Sequence, residues 1–317
     1  MEFKYDPMPI IFEKGDPFTK LCVLEMVDLW NAPPGNRLIL DLLKTQRKDG
    51  GFPSQIDPNV SGVKETGRSA RLLLKCGMPK DGLALTSCIK FLLKHQTEDG
   101  GFRENPKLSI PGWMTELSNQ KGVTWLTADM VDVFREFGQE NAKACQKAIN
   151  WLRRMELPEG GWAVVEEDEQ IDPDSSAQIT FLMKDLLGDQ DTLYKRGLTL
   201  FEQHLDQMAQ DAKQEFHIAK GQEEENEVYH LTHLLGQSFL SGKRGADAGY
   251  DINDHRVKKI AEAIMGIQRE DGGFKPYWSQ ESDPLYSGLV LRIFLWIGAM
   301  EKEKIKSMIQ NGVSVGK

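Results

Sequence analysis

Two aspartates and a histidine hold most of the chemistry this chain could perform. In Gln170-Ile171-Asp172-Pro173-Asp174-Ser175-Ser176-Ala177-Gln178, Asp172 followed by proline reads as a helix N-cap with proline at the first helical position. Asp174 then falls in the opening turn. A carboxylate formed there is stabilised by the unbonded amides and the positive dipole end of the helix, so its carboxyl can act as a strong acid. Burial and the nearby Asp172 must push the other way to keep the proton on at rest. Protonating a carbon–carbon double bond demands such an acid, because an alkene is a very weak base. The bland account is that a first-turn acid complements the dipole, worth under about 1 kcal/mol at a surface.

The histidine lies in Glu227-Val228-Tyr229-His230-Leu231-Thr232-His233. Aligning this helix with the one after Asp172 on their ends, Gly242 and Gly188, sets His230 opposite Ser176. From there it could hydrogen-bond the Asp174 carboxylate. His233, one turn deeper, reads better as a satisfied core histidine. Glu227-x-x-His230 and His230-x-x-His233 have metal-ligand spacing on a helix, a weak signal in a single copy. A developing carbocation would call for aromatic faces. Trp113, Trp125, Tyr229, Trp278 and Tyr286 lie near helix starts or connecting turns, with Phe181 further along the Asp172 helix. Each competes with ordinary core packing.

These residues sit on a repeat. Gln46-Arg47-Lys48-Asp49-Gly50-Gly51-Phe52 recurs as Gln96 to Phe102, in part as Glu159-Gly160-Gly161-Trp162, and as Gln268 to Phe274. The spacings are 50, 60 and 112 residues, the last being twice 56, with one degenerate turn expected at 214–221. Each unit is long enough for two helices. Segments at 36–47, 82–97, 140–155, 192–213, 255–269 and 301–310 place apolar residues three and four apart between charged ones, as one-sided outer helices do. Those at 16–30, 60–76, 122–137, 173–187, 226–241 and 284–300 are more apolar, and are expected as inner helices wetted on neither side. This alternation predicts an all-α (α/α)6 toroid, a double ring of inner and outer helices forming one domain over 1–317. The Gly pair ends each outer helix with positive φ, the aromatic plugs the gap between units, the Gln side chain bonds helix-end carbonyls, and the Asp accepts loop amides. Asp57-Pro58 and Asp283-Pro284 are read as the same cap as Asp172-Pro173. Two residues beyond these caps stand Asn59, Asp174 and Leu285, which makes Asp174 the acid the framework does not need.

Composition narrows the classes further. A net charge of −9, with basic and acidic residues interspersed, excludes nucleic acid as the expected partner. No run of about 18 apolar residues is present to span a bilayer. Residues 1–9 lack signal-peptide character, so a cytoplasmic location is expected, with transient membrane-surface contact left open. Cys22, Cys76, Cys88 and Cys145 are scattered, as buried thiols would be, without the spacing of a disulfide framework or a cysteine zinc cluster.

The Gln-x-x-Asp-Gly-Gly-Phe/Trp turns resemble the repeats of squalene-hopene cyclase-type terpene cyclases and of protein prenyltransferase β-subunits. What the resemblance implies is an α/α toroid whose apolar central cavity holds an isoprenoid. Asp172-Pro173-Asp174-Ser175-Ser176-Ala177 is similar to the Asp-x-Asp-Asp-Thr-Ala signature of class II cyclases, in which the middle aspartate protonates an alkene or epoxide. On that mapping Asp174 is the proton donor, Asp172 the supporting acid and His230 the histidine that strengthens it, while Ser175 replaces the third aspartate. No cofactor and no metal are then expected, magnesium entering only with a diphosphate substrate.

A rival uses the same residues. Tyr229-His230-Leu231-Thr232 also resembles the Tyr-His-Thr-Cys stretch of prenyltransferase β-subunits, whose histidine binds zinc with an aspartate and a cysteine. Here the cysteine position is Ser176, and Glu166-Glu167-Asp168-Glu169 is acidic where a diphosphate needs cations. No Asp-Asp-x-x-Asp run is present for metal-assisted ionisation. Arg68 and Arg71 read as solvated or ion-paired positions, ahead of a pair for an anionic head group. A non-catalytic toroid that binds isoprenoid or protein is the third reading.

Overall fold

The computed structural model describes residues 1–110, 116–218, 243–276, 279 and 281–312. They form two compact units. One comprises residues 39–200 and the other residues 1–38 with 201–317.

In the 39–200 unit the chain alternates between two kinds of helix. α3 (Val63–Lys75), α5 (Thr124–Glu136) and α7 (Pro173–Leu187) pack side by side, α5 against both neighbours, while α4 (Leu83–Leu93) backs α3 and α6 (Lys143–Arg154) backs α5. Burial explains the division. Every residue from Leu126 to Phe134 in α5 and from Ser175 to Met183 in α7 is buried, whereas α6 buries one side, Cys145, Ala148, Ile149, Trp151 and Leu152. α2 (Pro33–Lys44) leads into this unit and α8 (Thr192–Ile218) leads out of it. A 3-10 turn, Glu116–Asn119, precedes α5.

The other unit joins the two ends of the chain. A π-helical turn (Ile10–Lys14) and α1 (Pro17–Met26) pack on α11 (Pro284–Trp296). α9 (Arg244–Asp247), α10 (His255–Gly266) and α12 (Lys302–Gly312) complete its described helices. Phe3 stacks on Phe294 and meets Phe274 edge-on. Arg256 binds Glu202, Asp206 and Asp254 together.

The Gly-Gly turns follow their sequence in part: the first glycine of each has positive φ (Gly50, Gly100, Gly160, Gly272), the second does so at Gly161 but not at Gly51, Gly101 or Gly273. Gln46 Nε2 donates to Gly50 O and Ala84 O, Gln96 Nε2 to Gly100 O and Ala144 O, and Gln268 Nε2 to Gly272 O and Tyr5 O. Each glutamine thus closes its own turn and ties it to the next element, the N-terminal segment serving the last. Asp49 and Asp271 accept the second glycine's N–H and a serine hydroxyl, Ser61 or Ser282. At the third turn Glu156 replaces the glutamine and pairs with Arg196. Phe52, Phe102, Trp162 and Phe274 are all buried, each contributing about 1.5–3 kcal/mol.

Two expectations are corrected. The degenerate turn expected at 214–221 is helical as far as Ile218, within α8, and the rest of it lies outside the described residues. Asp57-Pro58 is no helix cap. It sits at the tip of a small hairpin in which β1 (Phe52–Pro53) pairs with β2 (Ser61–Gly62), Asp57 accepting Asn59 N–H at 2.8 Å and Val60 N–H at 2.9 Å. The cap of α3 is Gly62. Asp-Pro supplies a side-chain acceptor and a fixed φ, which suit a turn as well as a helix start.

Candidate functional site

A hydroxyl in the first turns of the inner helices sets a register across the repeats. Thr66 accepts the N–H of Phe52, Thr127 that of Phe102, Ser176 that of Trp162 and Ser287 that of Phe274, at 2.8–3.0 Å. Two residues before these hydroxyls stand Lys64, Trp125, Asp174 and Leu285. The corrected comparison therefore replaces Asn59 by Lys64 and adds Trp125. Asp174 is still the one acid in the set.

Local chemistry fixes the start of α7. Asp172 caps it, accepting the Ser175 N–H at 2.8 Å, and its own N–H donates to Trp162 O at 2.8 Å. Gly161, at φ +75°, sits where a Cβ would lie 3.0 Å from Ser176 Oγ and 2.9 Å from Leu200, so only glycine fits this crossing. Asp172 and Asp174 are half-buried at this end of the helix. Ser176, the position at which zinc prenyl transfer needs a thiolate, is a framework hydroxyl like its three counterparts.

One turn below Asp174 the helix carries Gln178, 1% exposed, whose Nε2 donates to Asp129 Oδ1 at 2.8 Å and to Trp125 O at 3.3 Å. Asp129 is buried on α5. Burial pushes its carboxyl above the ordinary aspartate range, Arg68 and Arg71 draw it partly back, and Asp132 adds to the rise. Arg71 binds Glu136 at 2.6 Å; burial works against its charge, but Asp132, Glu136 and Asp129 outweigh that and hold the proton more tightly than usual. The expectation that Arg71 is ion-paired is met. Sequence reasoning passed over Asp129, although Asp129 and Asp132 are the two charges in the otherwise uncharged run 123–134, which was the available signal.

The remaining candidates divide by position. Trp125 is half-buried in the first turn of α5, beside the Gln178 contact. Phe181 is wholly buried in α7. Tyr286, 5% exposed, lies in the first turn of α11, in the other unit. Trp113, Tyr229, His230, His233 and Trp278 lie outside the described residues. No group of three or more metal-ligating side chains occurs among the described residues.

Comparison with known proteins follows the same repeats. The model of the squalene-hopene cyclase C-terminal domain matches residues 60–289. The chain belongs to this family. A squalene-hopene cyclase from Zymomonas mobilis is 30% identical over 124 residues, 38% of this chain and 18% of that enzyme, so the alignment spans less than a fifth of the relative. Among solved structures, a protein from Actinoplanes aligns at TM-score 0.55 and 16% identity, covering 89% of this chain and 90% of its own. The type II terpene cyclase MstE from Scytonema aligns at TM-score 0.51 and 13% identity, covering 89% and 88%. Other MstE structures contain geranylgeranyl dihydroxybenzoate, its substrate, or merosterolic acid A, its product. These likenesses are of fold, and they put this family member in the (α/α) toroid class, as its repeat predicts. No helix among the described residues is long and apolar enough to cross a membrane.

Proposed function

We propose that this family member is a class II terpene cyclase-like isomerase in which Asp174 donates the proton that starts cyclisation of a linear isoprenoid. The observation that carries the reading is the register of the repeats: where other inner helices hold Lys64, Trp125 and Leu285, α7 places a half-buried carboxyl among first-turn amides. The Asp174 O–H bond breaks as a C–H bond forms at the terminal alkene carbon, leaving a carbocation that successive double bonds attack. Loss of a proton from the final cation restores the balance, so the step is an isomerisation without redox change. Asp172 holds the helix end and, with His230, tunes the acid. Trp113, Trp125, Phe181, Tyr229, Trp278 and Tyr286 would supply apolar wall and aromatic faces.

Protonation activates the substrate, so this reading assigns no cofactor or metal; magnesium would accompany a diphosphate if the substrate carries one. The type II cyclase MstE acts on a geranylgeranyl chain attached to an aromatic acid, which favours a prenyl chain over other apolar substrates here. The test is incubation with linear isoprenoids of ten to thirty carbons, as alcohols, diphosphates and hydrocarbons, with mass spectrometry of the products. A cyclic isomer formed by the protein and lost in Asp174→Asn supports the reading. Undiminished cyclisation by Asp174→Asn overturns it.

A further inference from the structure

We propose that Asp129 is a positioning residue for the acid of α7, acting through Gln178. The inference rests on Asp174 being the donor and adds a residue the reaction itself does not touch.

Asp174 and Gln178 are four residues apart, so they stand one above the other on a single face of α7, about 5–6 Å between Cβ atoms. At about 100° per residue, Ser176 and Gln178 differ by roughly 200° and point to nearly opposite sides. Ser176 is fixed on its side by the Trp162 backbone, accepting its N–H at 2.8 Å and donating to its carbonyl at 3.2 Å. On the acid's side the fixing contact is Gln178 to Asp129 of α5, with the second bond to Trp125 O. Two anchors on opposite faces set the rotation of the helix. With the Asp129 anchor gone, Gln178 would keep only its longer bond to Trp125 O as a described side-chain bond between α7 and α5.

The anchor is specific to this pair of helices. The residues two beyond the framework hydroxyl are Arg68, Asp129, Gln178 and Leu289, and among them an amide faces a carboxyl across the contact of α5 and α7 alone. Gln178 Oε1 and Ser175 Oγ, three residues apart, are buried and lack a hydrogen-bond partner. A neutral carboxyl opposite a primary amide can pair twice, accepting from its N–H and donating to its oxygen. Arg68 and Arg71 from α3 and Asp132 from α5 are the charged groups that act on Asp129, and Glu136 binds Arg71. An amide at 129 would keep the pairing, and an apolar residue would abolish it.

The experiment uses the full chain with a cyclised isoprenoid identified as above. Expected is a loss of kcat of about thirtyfold to a hundredfold in Asp129→Leu and Gln178→Met, with KM within about threefold, since a misplaced reacting group costs rate more than binding. Asp129→Asn should stay within about threefold of the parent. The double variant Asp129→Leu/Gln178→Met should be no slower than either single one, because both remove the same contact. A readout that needs no substrate is amide hydrogen exchange, which should speed up at 175–178 in Gln178→Met and stay at parent rates in α3.

Parent kcat and parent exchange in a folded Gln178→Met protein overturn the proposal. So does an Asp129→Asn variant as slow as Asp129→Leu, because Asp129 would then act through its charge or by proton transfer and not through the amide contact. Should Asp129→Leu fail to fold, the near-isosteric Gln178→Met decides. Asp174→Asn separates the two readings. If it still cyclises, the donor assignment fails and the positioning role with it. If it is inactive while Gln178→Met is not impaired, the positioning role alone fails.

Discussion

Asp174 on α7 and Trp125 on α5 occupy the same place in neighbouring repeats, each two residues before a hydroxyl that accepts the N–H of a buried aromatic. One framework position therefore carries an indole in one helix and a carboxyl in the next. The framework tolerates both, so neither side chain is there to build the helix.

It follows that Asp174→Leu, which installs the residue α11 has at this place, should fold. Retained cooperative thermal unfolding of the variant is the expected result. Cyclisation should fall at least a hundredfold, within the 10²–10⁴ range of a lost general acid.

Ser176 should behave as scaffolding. Ser176→Ala and Thr127→Val each leave a buried aromatic N–H, that of Trp162 or Phe102, without its acceptor. Each should destabilise by about 1–3 kcal/mol, and the two losses should be similar in denaturant titrations. If Ser176→Ala is neutral to stability, the framework assignment is wrong.

The buried Asp129 carboxyl gives stability a definite slope with pH. Its proton is held more tightly in the folded than the unfolded chain, mainly because of burial. Its contribution is therefore fully present below the unfolded value of about 3.9 and declines as pH rises from there through the higher folded value. Asp129→Asn removes this dependence. Relative to the parent, the variant should gain stability as pH is raised from about 4 to 7, measured as the difference between two urea titration series.

The thiols of Cys88 and Cys145 are pushed up by burial to about 12 and about 11. Thiolates are the reactive species, so both should resist alkylation in the native protein at pH 8 and react promptly in denaturant. Native labelling of either, mapped by peptide mass, would contradict this burial.

What the sequence by itself determined is whatever depends on nearby residues. Among the described residues the inner and outer helices stand within a few residues of their expected bounds, because apolar periodicity, Asp-Pro caps and Gly-Gly stops act over one or two turns. The inner helix expected at 226–241 lies outside those residues. The bond of each glutamine to the glycine carbonyl four residues on is likewise local, whereas its second bond, to Ala84, Ala144 or Tyr5, joins distant elements. Asp57-Pro58 failed as a cap because the same dipeptide suits a hairpin tip, and only the pairing of Phe52 with Gly62 chooses between them.

Only the tertiary structure decided the true register. The hydroxyl follows its aromatic by 14 residues at Thr66, 25 at Thr127, 14 at Ser176 and 13 at Ser287, so no fixed spacing reveals the set. The longer interval at Thr127 holds the connection through Glu116–Asn119, which breaks the count without moving the contact. Asp129 and Gln178 are 49 residues apart. A single hydrogen bond between buried side chains leaves no periodic trace in a sequence, because it depends on two helices meeting at one turn and on no pattern along either.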